Sequence, residues 1–264
     1  RGSLQQCAEQ DLLFMQHAED IYMTQHAPMT DSPVSVALGV RGQSSDAEGV
    51  IVERDIKLAR ETGARYHVLH TSTARSVAAV RAAKAEGLPV TCEVSPHHLL
   101  LTYDACASGD PNTKMNPPLR SEYDRQALVA AMADGTVDAV ATDHAPHTNE
   151  EKAKGFTDAP FGVIGLETAF AALLTFVHDG TITDNRAVEL MTSGPARLLG
   201  LQGRLGTLNE NAPVHLTLVD PTREWTVTEE AMAGKSTNSA FLGHVFKGKI
   251  VATVLHGELR YLDN

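Results

Sequence analysis

The chain has 264 residues, a formal net charge of −11, and 42% hydrophobic against 21% charged residues. That length buries a core of barrel size in a single domain, and no apolar run is long enough to span a bilayer. The acidic balance excludes a nucleic-acid surface, which needs clustered Lys and Arg.

In chain order, residues 12–16 form an apolar run that closes on His17-Ala-Glu-Asp20. Helical spacing over 51–60 stops at Gly63, and a second strand-like run over 66–69 closes on His70-Thr-Ser-Thr73. Residues 72–86 read as a helix ended by Gly87, and 88–93 as the next strand. Residues 121–134 read as a helix with Ser121 as N-cap and Gly135 after it, followed by a buried strand over 137–142 that ends at Asp143. The charged run 150–154 reads as a solvated loop, and helical patterns return over 165–178 and 184–199. From about Gly206 the period changes to short alternating runs at 214–219, 225–227 and 249–255, which read as a small β unit. Strands and helices at this cadence imply parallel βα units with right-handed crossovers, an α/β fold over residues 1–204, with the β unit over 205–264.

Three strand ends thus carry metal-type ligands: His17, His70 and Asp143. Neutral imidazole nitrogen and carboxylate oxygen suit a zinc-class ion, and barrel enzymes keep their chemistry at the C-terminal ends of the strands. Taken singly, each histidine is an ordinary hydrogen-bonded residue and Asp143 a helix cap; the functional reading rests on the three together. His144 and His147 read either as groups near the substrate or as loop residues. Cys7, Cys92 and Cys106 are odd in number and lack CxxC spacing, which fits a reducing, cytoplasmic setting.

Five segments in order, His17-Ala-Glu-Asp20, His70-Thr-Ser-Thr73, Glu93-Val-Ser-Pro-His-His98, Asn116-Pro-Pro-Leu-Arg120 and Ala141-Thr-Asp-His-Ala-Pro-His147, resemble the class I dihydroorotases of the amidohydrolase superfamily. The similarity runs from about Leu12 to the C-terminus; allantoinases and hydantoinases share the histidine and aspartate plan and form the second reading. The resemblance implies a (β/α)8 TIM barrel, of which this chain carries about strands 5 to 8 with their helices, and part of a small composite β-sandwich. It implies that His17 and His70 hold one zinc ion (Zn2+), and that Asp143 binds a second and shuttles the proton. Asn116, His147, Phe161 and Gly162 match positions that contact the pyrimidine ring. Arg120 reads as structural.

The implied reaction is reversible hydrolysis of the ring amide of dihydroorotate to N-carbamoyl-aspartate in de novo pyrimidine synthesis. The family's further ligands, a His-x-His on strand 1 and a carboxylate on strand 4, match nothing here, so these 264 residues are expected to carry half a metal site and little activity, and the natural protein is expected to be longer. Implied partners are the small-molecule substrate, further copies of the chain, and an aspartate transcarbamoylase. The last suits an alternative in which a non-catalytic relative supports that enzyme.

Overall fold

A computed structural model describes residues 1–263. Nine strands are present among them: β1 (Leu13–Gln16), β2 (Met29–Thr30), β3 (Gly42–Gln43), β4 (Arg65–Val68), β5 (Val90–Val94), β6 (Ala139–Val140), β7 (His215–Thr226), β8 (Val245–Leu255) and β9 (Glu258–Leu262). Contacts divide the chain into two compact units, Arg1–Gly165 with Lys235–Ala240, and Leu166–Gly234 with the residues from Phe241 onward. The change of hydrophobic period near Gly206 lies well beyond the Gly165 divide, inside the second unit.

In the first unit, β1, β4, β5 and β6 form one parallel sheet in that order. The register aligns Gln16 with Val68, Val68 with Cys92, and Val94 with Val140. All four strands therefore end at the same edge, and the residues just past them share it. The intervening helices form where expected. Asp46–Thr62 buries Val52, Ile56 and Ala59 along one face and ends at Gly63, whose φ of +70° is the left-handed conformation glycine adopts without penalty. Ala74–Ala85 is capped by the Thr73 side chain, and Glu122–Ala133 by Ser121, each contributing about 1 kcal/mol. An apolar cluster of Met29, Cys106, Met115, Leu119, Phe156 and Val163 joins the segments that follow β5 and β6 to β2.

Several expectations are corrected. The strand over 137–142 shrinks to Ala139–Val140, because β6 pairs with β5 alone and only two residue pairs are in register. The run 150–154 is not a loop: Asn149–Lys152 is a short helix with a Thr148 capping box, and Lys152 is buried.

In the second unit, helix Ala169–His178 packs against β8, where Gly248 lies so close to Leu174 that a Cβ would meet its Cδ1 at 2.3 Å. β7, β8 and β9 form an antiparallel sheet. Two corrections fall here. The runs 214–219 and 225–227 belong to one strand, β7, with register irregularities between Leu218 and Val219 and between Asp220 and Glu224. The helix over 184–199 is two, Asp184–Met191 and Ser193–Leu198, broken at Thr192 (φ −133°, ψ −86°). Pro195 has no N–H to offer the Met191 carbonyl four residues back, and its ring crowds that carbonyl, which accounts for the break at the end of the first helix. Among the described residues no helix is long and apolar enough to cross a membrane.

Candidate active site

His17 follows β1 and His70 follows β4 by two residues, and the parallel register brings their rings to a centroid distance of 4.8 Å, nearly edge to face. His17 Nδ1 stands 3.0 Å from His70 Nε2. On its far side, His17 Nε2 lies 2.9 Å from Glu19 Oε2, which also accepts a hydrogen bond from Asn116 Nδ2 at 3.0 Å. Glu19 Oε1 accepts from Thr24 Oγ1. Burial raises the Glu19 carboxyl, but the bonds from Thr24, His17 and Asn116 outweigh it and hold the group below its ordinary value. An ionised Glu19 places the His17 hydrogen on Nε2 and leaves Nδ1 as a lone pair facing His70.

His70 is 8% exposed and its Nδ1 is buried without a hydrogen-bond partner. Burial first, then the neighbouring His17, lowers its pKa, which favours the neutral ring that a metal accepts. Two imidazole nitrogens on one tetrahedral zinc stand about 3.3 Å apart, close to the spacing found here. His17 and His70 therefore fit two corners of such a site. Asp143 follows β6 and is close enough to His70 to act on it electrostatically. Among the described residues, no group of three or more His, Cys, Asp or Glu side chains is gathered to hold a metal ion. Asp143 is not a helix cap, since the next helix begins at Asn149 and is capped by Thr148. Both His70 (φ +31°) and Asp143 (φ +49°) hold positive φ, a strained backbone for non-glycine residues that clusters at functional sites.

A second group of expected residues lies on the loops after β6. His147 Nε2 donates to Phe161 O at 2.9 Å, and the Gly162 N–H donates to Lys114 O at 2.9 Å. Gly162 has φ +115°, and a Cβ there would stand 2.5 Å from Ala145 Cβ, so the close approach of the two loops requires glycine. Lys114 Nζ donates to Thr157 O and Ala159 O and lies 4.5 Å from the centre of the Phe161 ring. Lys152 Nζ donates to Pro111 O and Pro160 O; burial, then the nearby Lys114, pushes its pKa down to about 8. His144 Nδ1 accepts from the Gly165 N–H.

Arg120 is buried, donating to Ser72 Oγ and Thr30 Oγ1, while the buried Glu48 carboxylate accepts from the backbone and hydroxyls of Ser72 and Thr73. These bonds lock the turn after His70. His97 and His98 are buried, and burial drives His98 down to about 3; its ring bridges Ser95 Oγ and Pro117 O as a neutral group. Sequence reasoning quoted Glu19 without giving it a role; a carboxylate two residues past a ligand-type histidine is the signal that could have found it.

A family model described as the amidohydrolase family matches residues 1–260. The dihydroorotases of Lactiplantibacillus plantarum and Brevibacillus brevis are 44% and 45% identical to this chain, over 98% and 99% of it and 60% and 62% of their own lengths. Dihydropyrimidinase from Brevibacillus agri and L-hydantoinase from Arthrobacter aurescens superpose with a TM-score of 0.87 each, at 26% and 28% identity, over 97% of this chain and 58% of theirs. The chain thus spans about three-fifths of the relatives it matches. The sheet, its register and these matches agree with the expected partial TIM barrel followed by an antiparallel β unit, and the chain belongs to the amidohydrolase family.

Proposed function

We propose that the protein carrying these residues is a dihydroorotase, hydrolysing the ring amide of dihydroorotate reversibly to N-carbamoyl-aspartate in pyrimidine synthesis. The observation that carries this reading is the facing pair His17 Nδ1 and His70 Nε2 at the C-terminal edge of a parallel sheet, with Glu19 orienting His17. Identity of 44–45% to dihydroorotases favours this substrate over those of the hydantoinases at 26–28%.

His17 and His70 would hold one zinc ion, and Asp143 would be a ligand of a second. A bound divalent ion supplies Lewis acidity and a water acidic enough to be deprotonated near neutral pH. Asp143 accepts the proton of the attacking water and delivers it to the leaving ring nitrogen, a role that requires its carboxylate to be ionised. Asn116, whose Nδ2 is committed to Glu19, would offer Oδ1 to the ring, and His147, Phe161 and Gly162 would be its further contacts. The 264 residues alone supply too few ligands for a metal pair and are expected to turn over little. Self-association, an aspartate transcarbamoylase partner and a cytoplasmic location belong to the same proposal, along with the division of labour between residues 1–204 and 205–264.

Assay of the full-length, zinc-loaded protein on dihydroorotate, dihydrouracil and hydantoin tests the proposal. It predicts preference for dihydroorotate by more than a hundredfold in kcat/KM, whereas preference for hydantoin or dihydrouracil selects the cyclic amide reading favoured by the solved structures. Inactivity on all three selects the non-catalytic subunit.

A further inference from the structure

Asn238 lies far along the chain from the loops it touches, and nothing in the sequence motifs points to it. It is 2% exposed, within the short segment Lys235–Ala240 that packs with the first compact unit. Its Nδ2 donates to Ala145 O at 3.0 Å and to Gly162 O at 3.3 Å, and its Oδ1 accepts from the His147 N–H at 3.1 Å. Its backbone carbonyl accepts from the Ile164 N–H at 3.1 Å. Two carbonyls on one side of the amide and one N–H on the other fix which atom is nitrogen, and the Nδ2 donors and the Oδ1 acceptor are all engaged.

We propose that Asn238 is a positioning residue for the substrate pocket, clamping the loop that carries His147 against the loop that carries Phe161 and Gly162. This rests on the reading above that those three residues meet the substrate ring. Without the clamp, the His147 N–H, the buried Gly162 carbonyl and the partly buried Ala145 carbonyl lose this partner, and the His147–Phe161 bond loses its support from behind. Both loops touch the ring rather than the bond that breaks, so the effect falls on substrate binding and not on the chemical step.

The test uses the full-length, zinc-loaded protein with Asn238→Ala, Asn238→Ser and Asn238→Asp, with His147→Ala as the reference for the site and Thr237→Ala as a neighbouring control. Expected is a rise in KM for dihydroorotate of about tenfold in Asn238→Ala and more in Asn238→Asp, whose carboxylate would face two carbonyl oxygens. Zinc content should be unchanged, kcat should stay within about threefold, and Thr237→Ala should leave KM unchanged. If His147→Ala raises KM and the Asn238 variants do not, the inference fails while the site reading stands. If His147→Ala leaves KM unchanged, the site reading fails and takes the inference with it. If Ala, Ser and Asp all abolish zinc binding and cooperative unfolding, Asn238 is a general structural residue and the positioning role is overturned.

Discussion

The two halves of the candidate site differ in how completely their polar groups are paired. Around β1 and β4, His17 and His70 turn nitrogens toward each other, and His70 Nδ1 is buried without a partner. Around the loops after β6, Lys114, Lys152, His147 and Asn238 each bond one or more backbone carbonyls or amides. A surface with spare donor capacity is built to take up something else; a saturated one is built to hold a shape. Substitutions in the first half should change chemistry and metal affinity with little loss of stability, and those in the second should do the reverse.

The sharpest break of that contrast is Asp143→Asn in the full-length protein. Turnover should fall by about three to four orders of magnitude while the far-ultraviolet spectrum and unfolding midpoint stay put, because the amide cannot accept the proton. Retained turnover would remove Asp143 from the mechanism. Next is Glu19→Ala, which frees the His17 ring to rotate and to change tautomer. Zinc affinity, measured by competition with a chelator, should drop roughly 10–100-fold, and an unchanged affinity would leave Glu19 a bystander.

On the saturated side, Gly162→Ala puts a methyl 2.5 Å from Ala145 Cβ at a φ of +115°. It should cost about 1–3 kcal/mol in denaturant unfolding, and a neutral result would show that the loops have room to part. The smallest effect is expected from Lys152. Its folded pKa of about 8 lies below the ordinary 10.5, so the unfolded chain binds more protons between those values. The stability of the parent relative to Lys152→Met should therefore rise with pH from about 8 to 10.5 and be flat below 8. The opposite slope would mean that the two carbonyl bonds to the Lys152 ammonium outweigh the cost of its burial and hold the folded group protonated.

What was legible in the sequence follows the range of the interactions involved. Gly63, Gly87 and Gly135 end helices through their own backbone freedom, and all three hold positive φ. Ser121 caps through a bond to a residue three positions on, so local spacing reveals it; the same bond at Thr73 starts its helix two residues later than the apolar spacing alone suggests. The tips at His17 and His70 were legible because an apolar run followed by a polar residue is also a local pattern. Asn238 and Lys152 were not, since a polar residue between apolar runs reads the same whether it meets water or a carbonyl 41 or 93 positions away. The Thr192 break was missed because helical period continues across it even though Pro195 interrupts the backbone bonding.

The Asn238 clamp also sets an order of events during synthesis. Its partners Ala145, His147 and Gly162 precede it by 93, 91 and 76 positions, and a contact across such a span forms only after the intervening chain has been made and its loop closed. The histidine pair can meet as soon as residue 70 has left the ribosome. The pocket wall cannot set until residue 238 has, so a nascent chain stalled between those points would carry the histidine pair without the surface that selects a substrate.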